Sequence, residues 1–186
     1  MNQTESALDR ASELEHMRLA VGVSGVHVSE IVLPDSHDVL IGRMRLHYLD
    51  WGNAHLPHVI LLHGGGLTAH TWDMAALLLR DRFHLVALDL RGHGDSEWDR
   101  SDSPRYTYDD YAADIHALTE KLDLRDFILA GHSMGGLVST VYASTYPGRC
   151  KAFIMIDSSL NMSPDRIATM NAVGSREGNS YADQNE

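Results

Sequence analysis

Phe127-Ile128-Leu129-Ala130-Gly131-His132-Ser133-Met134-Gly135-Gly136 is an apolar run that turns, within a few residues, into a glycine-flanked serine and then into a segment opening on two glycines. The run has the length and composition of a buried strand. Met134 to Tyr146 has those of a helix, closed by Pro147-Gly148. Gly131-x-Ser133-x-Gly135 set between strand and helix presents the serine at the carboxyl edge of a sheet. The flanking glycines supply the room that so sharp a turn needs, because neighbouring backbone passes close by. Taken alone the pattern is weak, and its bland reading is a structural or phosphate-binding turn. The strand before it and the helix after it carry the reading of Ser133 as a nucleophile.

Two earlier apolar runs end in the same way. His58 to Leu62 leads into His63-Gly64-Gly65-Gly66, and Phe83 to Leu90 leads into Arg91-Gly92-His93-Gly94-Asp95-Ser96. Near-continuous apolar runs are expected of strands buried on both faces, with glycine-rich loops at their carboxyl ends. Helices are expected at Trp72 to Leu79 and at Thr107 to Leu124. In the second, Tyr108, Tyr111, Ile115, Leu118 and Leu122 recur at helical spacing, and Thr107 with Asp110 forms a capping box. Ala152 to Ile156 reads as one more buried strand, ending at Asp157. Upstream, His27 to Leu33 and Met44 to Trp51 read as an antiparallel pair around a turn at Pro34-Asp35-Ser36, and Asn53 to Pro57 as the next turn. The sum is an α/β fold: a mostly parallel, doubly wound sheet with helices on both faces and right-handed crossovers.

The ends of the chain are less patterned. Residues 1–26 form a leader in which Ala7, Leu8, Ala11, Leu14 and Met17 suggest a short amphipathic helix over Ser6 to Leu19. Residues 27–160 form the core. Residues 161–186 are polar, with a helix expected from Pro164 to Ala172, and read as the start of a cap or a tail.

Composition excludes several classes. The net charge is −11, with 13 Arg and two Lys, Lys121 and Lys151, which argues against nucleic acid or an anionic membrane surface as a partner. One cysteine, Cys150, rules out an intramolecular disulfide. With no secretory core at the N-terminus and no run of transmembrane length, the expectation is a cytoplasmic protein. No metal and no organic cofactor is expected. His55 and His58 have Pro57 between them, no His-Glu-x-x-His occurs, and the Gly64 to Gly66 loop lacks the lysine and spacing of a phosphate cradle.

With the serine turn, the His63-Gly64-Gly65-Gly66 loop and Asp89-x-Arg91-Gly92-His93-Gly94-x-Ser96 in this order, the chain resembles the α/β-hydrolase superfamily over roughly residues 27 to 160. It looks most like the esterase, carbon–carbon-bond hydrolase and cofactor-free haloperoxidase branches. A serine at the turn argues against the dehalogenase-like and epoxide-hydrolase-like branches, which carry aspartate there. The resemblance implies that Ser133 attacks the carbonyl of an ester or similar small-molecule substrate. It also implies that the N–H groups of Met134 and Gly65 form an oxyanion hole.

The same resemblance implies a histidine base after a last strand and an acid before it. None of the 12 histidines takes that position. The chain therefore reads as about six of eight strands, with Asp157 a candidate for the acid, and an inactive or purely small-molecule-binding protein is the alternative. Structural capping is the preferred reading of Asp157, and loop bracing that of Asp89, Arg91 and His93. Trp72 and Met134 could line an acyl pocket, although packing is the commoner role for such residues. A sheet ending at the 152–156 strand would expose its edge to self-association.

Overall fold

The computed structural model describes residues 3–159. The expected helix at Pro164 to Ala172 and the 161–186 segment lie outside the described residues. Within them, six strands form one sheet in the order β1-β2-β4-β3-β5-β6. The strands are β1 (Asp35–Ile41), β2 (Met44–Asp50), β3 (His58–Leu62), β4 (His84–Leu88), β5 (Phe127–His132) and β6 (Cys150–Ile156). β3 to β6 are parallel neighbours, while β1 and β2 form an antiparallel hairpin that joins β4 antiparallel. The helices are α1 (Gln3–Ser24), α2 (Asp73–Leu79, preceded by a 3-10 turn at Ala69–Trp72), α3 (Tyr108–Lys121) and α4 (Met134–Thr145).

Side-chain alternation divides the core in two. Ile60, Leu62, Val86, Leu88, Phe127 and Leu129 pack against α3 and α4 on one face. Their neighbours Val59, Leu61, Leu85, Ala87 and Ala130 pack on the other face with Met17 and Val21 of α1 and with Trp72, Ala76 and Leu77. A period of two with both neighbours apolar is what makes these runs look continuous in sequence. A slip of one residue in any of them would exchange the two cores. α3 begins as its capping box requires: Thr107 Oγ1 accepts from Asp110 N–H at 3.3 Å, and Asp110 Oδ2 accepts from Thr107 N–H at 3.0 Å.

Two expectations at the N-terminal end are corrected. The first strand is Asp35–Ile41, where a turn was expected at Pro34-Asp35-Ser36; His27 to Leu33 is not in the sheet. Ile41 pairs with Met44 across a two-residue turn in which Gly42 takes φ 62°, and this tight hairpin sets the register of β1 on β2. Val28, Ile31, Val32 and Leu33 had suggested a strand because they are apolar, but they pack as non-sheet chain on the α1 face. The leader helix runs to Ser24, beyond the expected end at Leu19. Met17 and Val21, four residues apart and both buried, attach it to that same face.

Candidate active site

Ser133 stands between β5 and α4 with φ 50° and ψ −113°, a left-handed backbone that a non-glycine residue seldom adopts. The surrounding structure holds it there. Ser133 N–H donates to Ile156 O at 2.9 Å, tying the turn to the end of β6, and Ser133 O accepts from Gly136 N–H at 3.1 Å and from Ser158 Oγ at 2.8 Å. A side chain at Gly131 would collide with the backbone of Gly135 and Gly136, and one at Gly135 would meet Leu62 O at 2.5 Å and His63 O at 2.7 Å. The two glycines therefore let β5, α4 and the end of β3 close on one another, which a Cβ at either position would prevent.

The His63 to Gly66 loop runs alongside. A Cβ on Gly64 would lie 3.2 Å from Ser133 Cβ and 2.9 Å from His132 Nδ1, and one on Gly65 would lie 3.7 Å from Met134 Sδ. The loop thus passes beside Ser133 at Gly64 and beside the Met134 side chain at Gly65.

The side chain of His63 has a different task from its backbone. It is fully buried, its Nε2 accepts from Leu90 N–H at 3.0 Å, and its Nδ1–H donates to Gly64 O at 2.7 Å. Both nitrogens are committed, which fixes the tautomer. Burial pushes its pKa down to about 4, so it is neutral at pH 7 and braces the β3 loop against the end of β4.

The loop after β4 is braced likewise. Asp89 accepts from Ala69 N–H at 2.7 Å, from Asp95 N–H at 3.1 Å and from His47 Nδ1–H at 2.7 Å. Arg91 grips Asp114 of α3 through two bonds of 2.6 Å. His93 Nδ1 lies 3.1 Å from Arg91 O. These contacts hold the loop, and among the described residues none of the three side chains hydrogen-bonds to Ser133. Among the described residues one group with metal-ligand character, His47, Asp89 and Asp95, has donor atoms within 4.8 Å of one another. Its His47 and Asp89 atoms already bond to each other and to backbone, so the protein's own hydrogen bonds occupy the set. Trp72 is buried within the α1-side core, a packing position.

Asp157 also has positive φ, 49°, and an 88% exposed side chain whose Oδ2 lies 4.0 Å from His132 Nε2. Among the described residues no histidine nitrogen and no carboxylate hydrogen-bonds to Ser133 Oγ. Sequence reasoning missed the hold of Ser158 on the turn and the involvement of His47 with Asp89. Neither left a signal, since the partners lie 25 and 42 residues apart.

The chain is similar to several known proteins. The family model described as alpha/beta hydrolase fold matches residues 57–176. A non-heme chloroperoxidase of Streptomyces lividans is 40% identical over 115 residues, 60% of this chain and 40% of that protein. A bifunctional esterase/perhydrolase of Acinetobacter calcoaceticus is 38% identical over 103 residues, 54% of this chain and 36% of that protein. The crystal structure of E-2-(acetamidomethylene)succinate hydrolase superposes with a TM-score of 0.68 at 31% identity, over 75% of this chain and 50% of that one. The chain thus spans less than half the length of these curated relatives. Among the described residues no helix is long and apolar enough to cross a membrane. The sheet order, the turn at Ser133 and the family match over more than half of the chain lead to one conclusion: the chain belongs to the alpha/beta hydrolase fold family.

Proposed function

We propose that the chain carries the nucleophile and oxyanion-hole portion of a serine hydrolase that acts on an ester or similar activated carbonyl of a small molecule through an acyl-enzyme. Ser133 Oγ adds to the carbonyl carbon, and the N–H groups of Met134 and Gly65 take the charge that develops on the carbonyl oxygen. The observation that carries this reading is the backbone of Ser133, φ 50° and ψ −113°, maintained at a turn that leaves no space for a Cβ on Gly131 or Gly135. Positive φ at a non-glycine residue costs of order 1–3 kcal/mol and persists where its surroundings impose it. The named activities of the Acinetobacter calcoaceticus and Streptomyces lividans relatives are compatible with chemistry at such a serine.

The second reading is a non-catalytic or inactive hydrolase-fold protein. It is favoured by one observation, that Ser133 Oγ has no base in contact among the described residues, and a serine hydroxyl without one is a poor nucleophile at neutral pH. Incubating the chain with a fluorophosphonate probe and an activated ester separates the two. The hydrolase reading expects label on Ser133 and ester turnover, both removed by Ser133→Ala. A folded chain that neither labels at Ser133 nor turns over the ester supports the second. Metal and organic cofactor have no part in either reading, and we place the protein in the cytoplasm, without nucleic-acid or membrane partners.

A further inference from the structure

A second serine lies in a relay of its own at the opposite, β1, edge of the sheet. Ser36 Oγ is 2.8 Å from His47 Nε2, and His47 Nδ1 is 2.7 Å from Asp89 Oδ2. Burial works to raise the pKa of Asp89, but the hydrogen bonds from His47 and from the Ala69 and Asp95 N–H groups outweigh it and leave the carboxyl below its usual range. An ionised carboxylate only accepts, so Nδ1 carries the proton. With the proton on Nδ1, an uncharged ring offers its lone pair at Nε2 to the Ser36 hydroxyl.

The ring is held in this orientation. His47 N–H donates to Ser96 Oγ at 2.8 Å, and His47 O accepts from Asp89 N–H at 3.0 Å. His47 and Asp89 are 5% and 2% exposed, while Ser36 is exposed. Ser36 and His47 both line a cavity of about 400 Å³ whose other wall is α1. Arg10 of α1 borders the cavity and bonds Asp35 Oδ1 at 3.0 Å, next to Ser36. Around the cavity Arg10 is paired with Asp35, and Asp73 with His70 at 2.9 Å, which leaves the carboxylates of Glu13 and Asp95. Such a lining disfavours an anionic donor and admits an uncharged one.

We propose that Ser36, His47 and Asp89 form a second reactive serine centre, which takes small uncharged acyl or phosphonyl donors from the cavity between α1 and the β1–β2 hairpin. Ser36 Oγ forms the new bond to carbonyl carbon or phosphorus, and its proton passes to His47 Nε2. The leaving alkoxide or fluoride departs with the electron pair of the broken bond, and ionised Asp89 steadies the imidazolium through Nδ1–H. The product is one ester of Ser36 per chain. This centre is independent of the role proposed for Ser133.

The test uses the whole chain, with and without Ser133→Ala, treated with an uncharged alkyl fluorophosphonate and with p-nitrophenyl acetate. Adducts are assigned to individual serines by peptide fragmentation. The reference is Ser144, an exposed hydroxyl that bonds Val141 O at 2.9 Å within its own helix. A base in contact accelerates such attack by about 10²-fold or more, so Ser36 should label about 10²-fold faster than Ser144. The excess should disappear in denaturing urea and in His47→Gln, and Ser36→Ala should remove the adduct. A native ratio of Ser36 to Ser144 label no greater than the ratio in urea would overturn the proposal and leave the relay a brace for β1. Because urea serves as the comparison, the outcome does not depend on whether His47→Gln folds. Label on Ser133 alone, with Ser36 at the Ser144 level, would likewise overturn it while supporting the hydrolase reading.

Discussion

Gly135→Ala should destabilise the protein even though it puts a better helix former into α4. In an unconstrained helix interior this exchange is worth about 0.8–1 kcal/mol in favour of alanine. Here the new methyl would meet Leu62 O at 2.5 Å, His63 O at 2.7 Å and Leu62 C at 2.8 Å, whereas ordinary contact begins near 3.4 Å. All three atoms are backbone in β3 and its loop, so no side chain can rotate away. Relief requires α4 to move off the sheet, and overpacking of that kind costs about 1–3 kcal/mol or more. The expected net result is a loss of up to about 2 kcal/mol, or up to roughly 8 °C in Tm for a chain of this size. Gly22→Ala in α1 supplies the opposite sign, since nothing lies within 4 Å of its Cβ position, and should be neutral or stabilising by up to about 1 kcal/mol. Thermal and urea unfolding followed by circular dichroism measures both. A Gly135→Ala chain melting at or above the parent would refute the claim that glycine is required there by close approach.

His63 should make the protein acid-sensitive: its folded pKa of about 4 lies below the unfolded value near 6.5, so its contribution is present above pH 6.5 and is lost as pH falls towards 4. The full window amounts to about 3 kcal/mol, and urea midpoints taken between pH 7 and 4.5 should fall more steeply for the parent than for His63→Gln. Thr107→Ala removes one half of the capping box at α3 and should cost about 1 kcal/mol by urea denaturation, with the m-value unchanged. β6 is one of the two edge strands among the described residues and exposes Phe153 (43%) and Ile154 (47%). We expect concentration-dependent self-association by sedimentation velocity, reduced by Ile154→Lys; a single monomeric species at all concentrations would count against it.

The parallel part of the sheet was legible because its determinants are local. β3, β4 and β5 are short apolar runs that end in glycine loops, and burial on both faces leaves no polar alternation to obscure them. The capping box of α3 and the glycines around Ser133 were legible for the same reason, since each satisfies a steric or hydrogen-bonding demand within three or four residues. The first strand was not legible. His27 to Leu33 and Asp35 to Ile41 both suit extended chain, and what separates them is a partner: the Gly42 turn folds the second onto β2, while the first lies on the core beneath α1.

By itself the sequence determined the order of elements, the turn that carries Ser133 and the glycines that let three segments meet there. Tertiary structure decided what the buried polar groups do. His63, in a glycine loop, became a neutral brace because Leu90 N–H and Gly64 O claim its two nitrogens. Ser36, His47 and Asp89 became a relay across separations of 11 and 42 residues. Steric demands of a turn act between chain neighbours and leave a pattern in sequence. A hydrogen bond between distant segments, and the protonation state it selects, exists only once the sheet has brought them together.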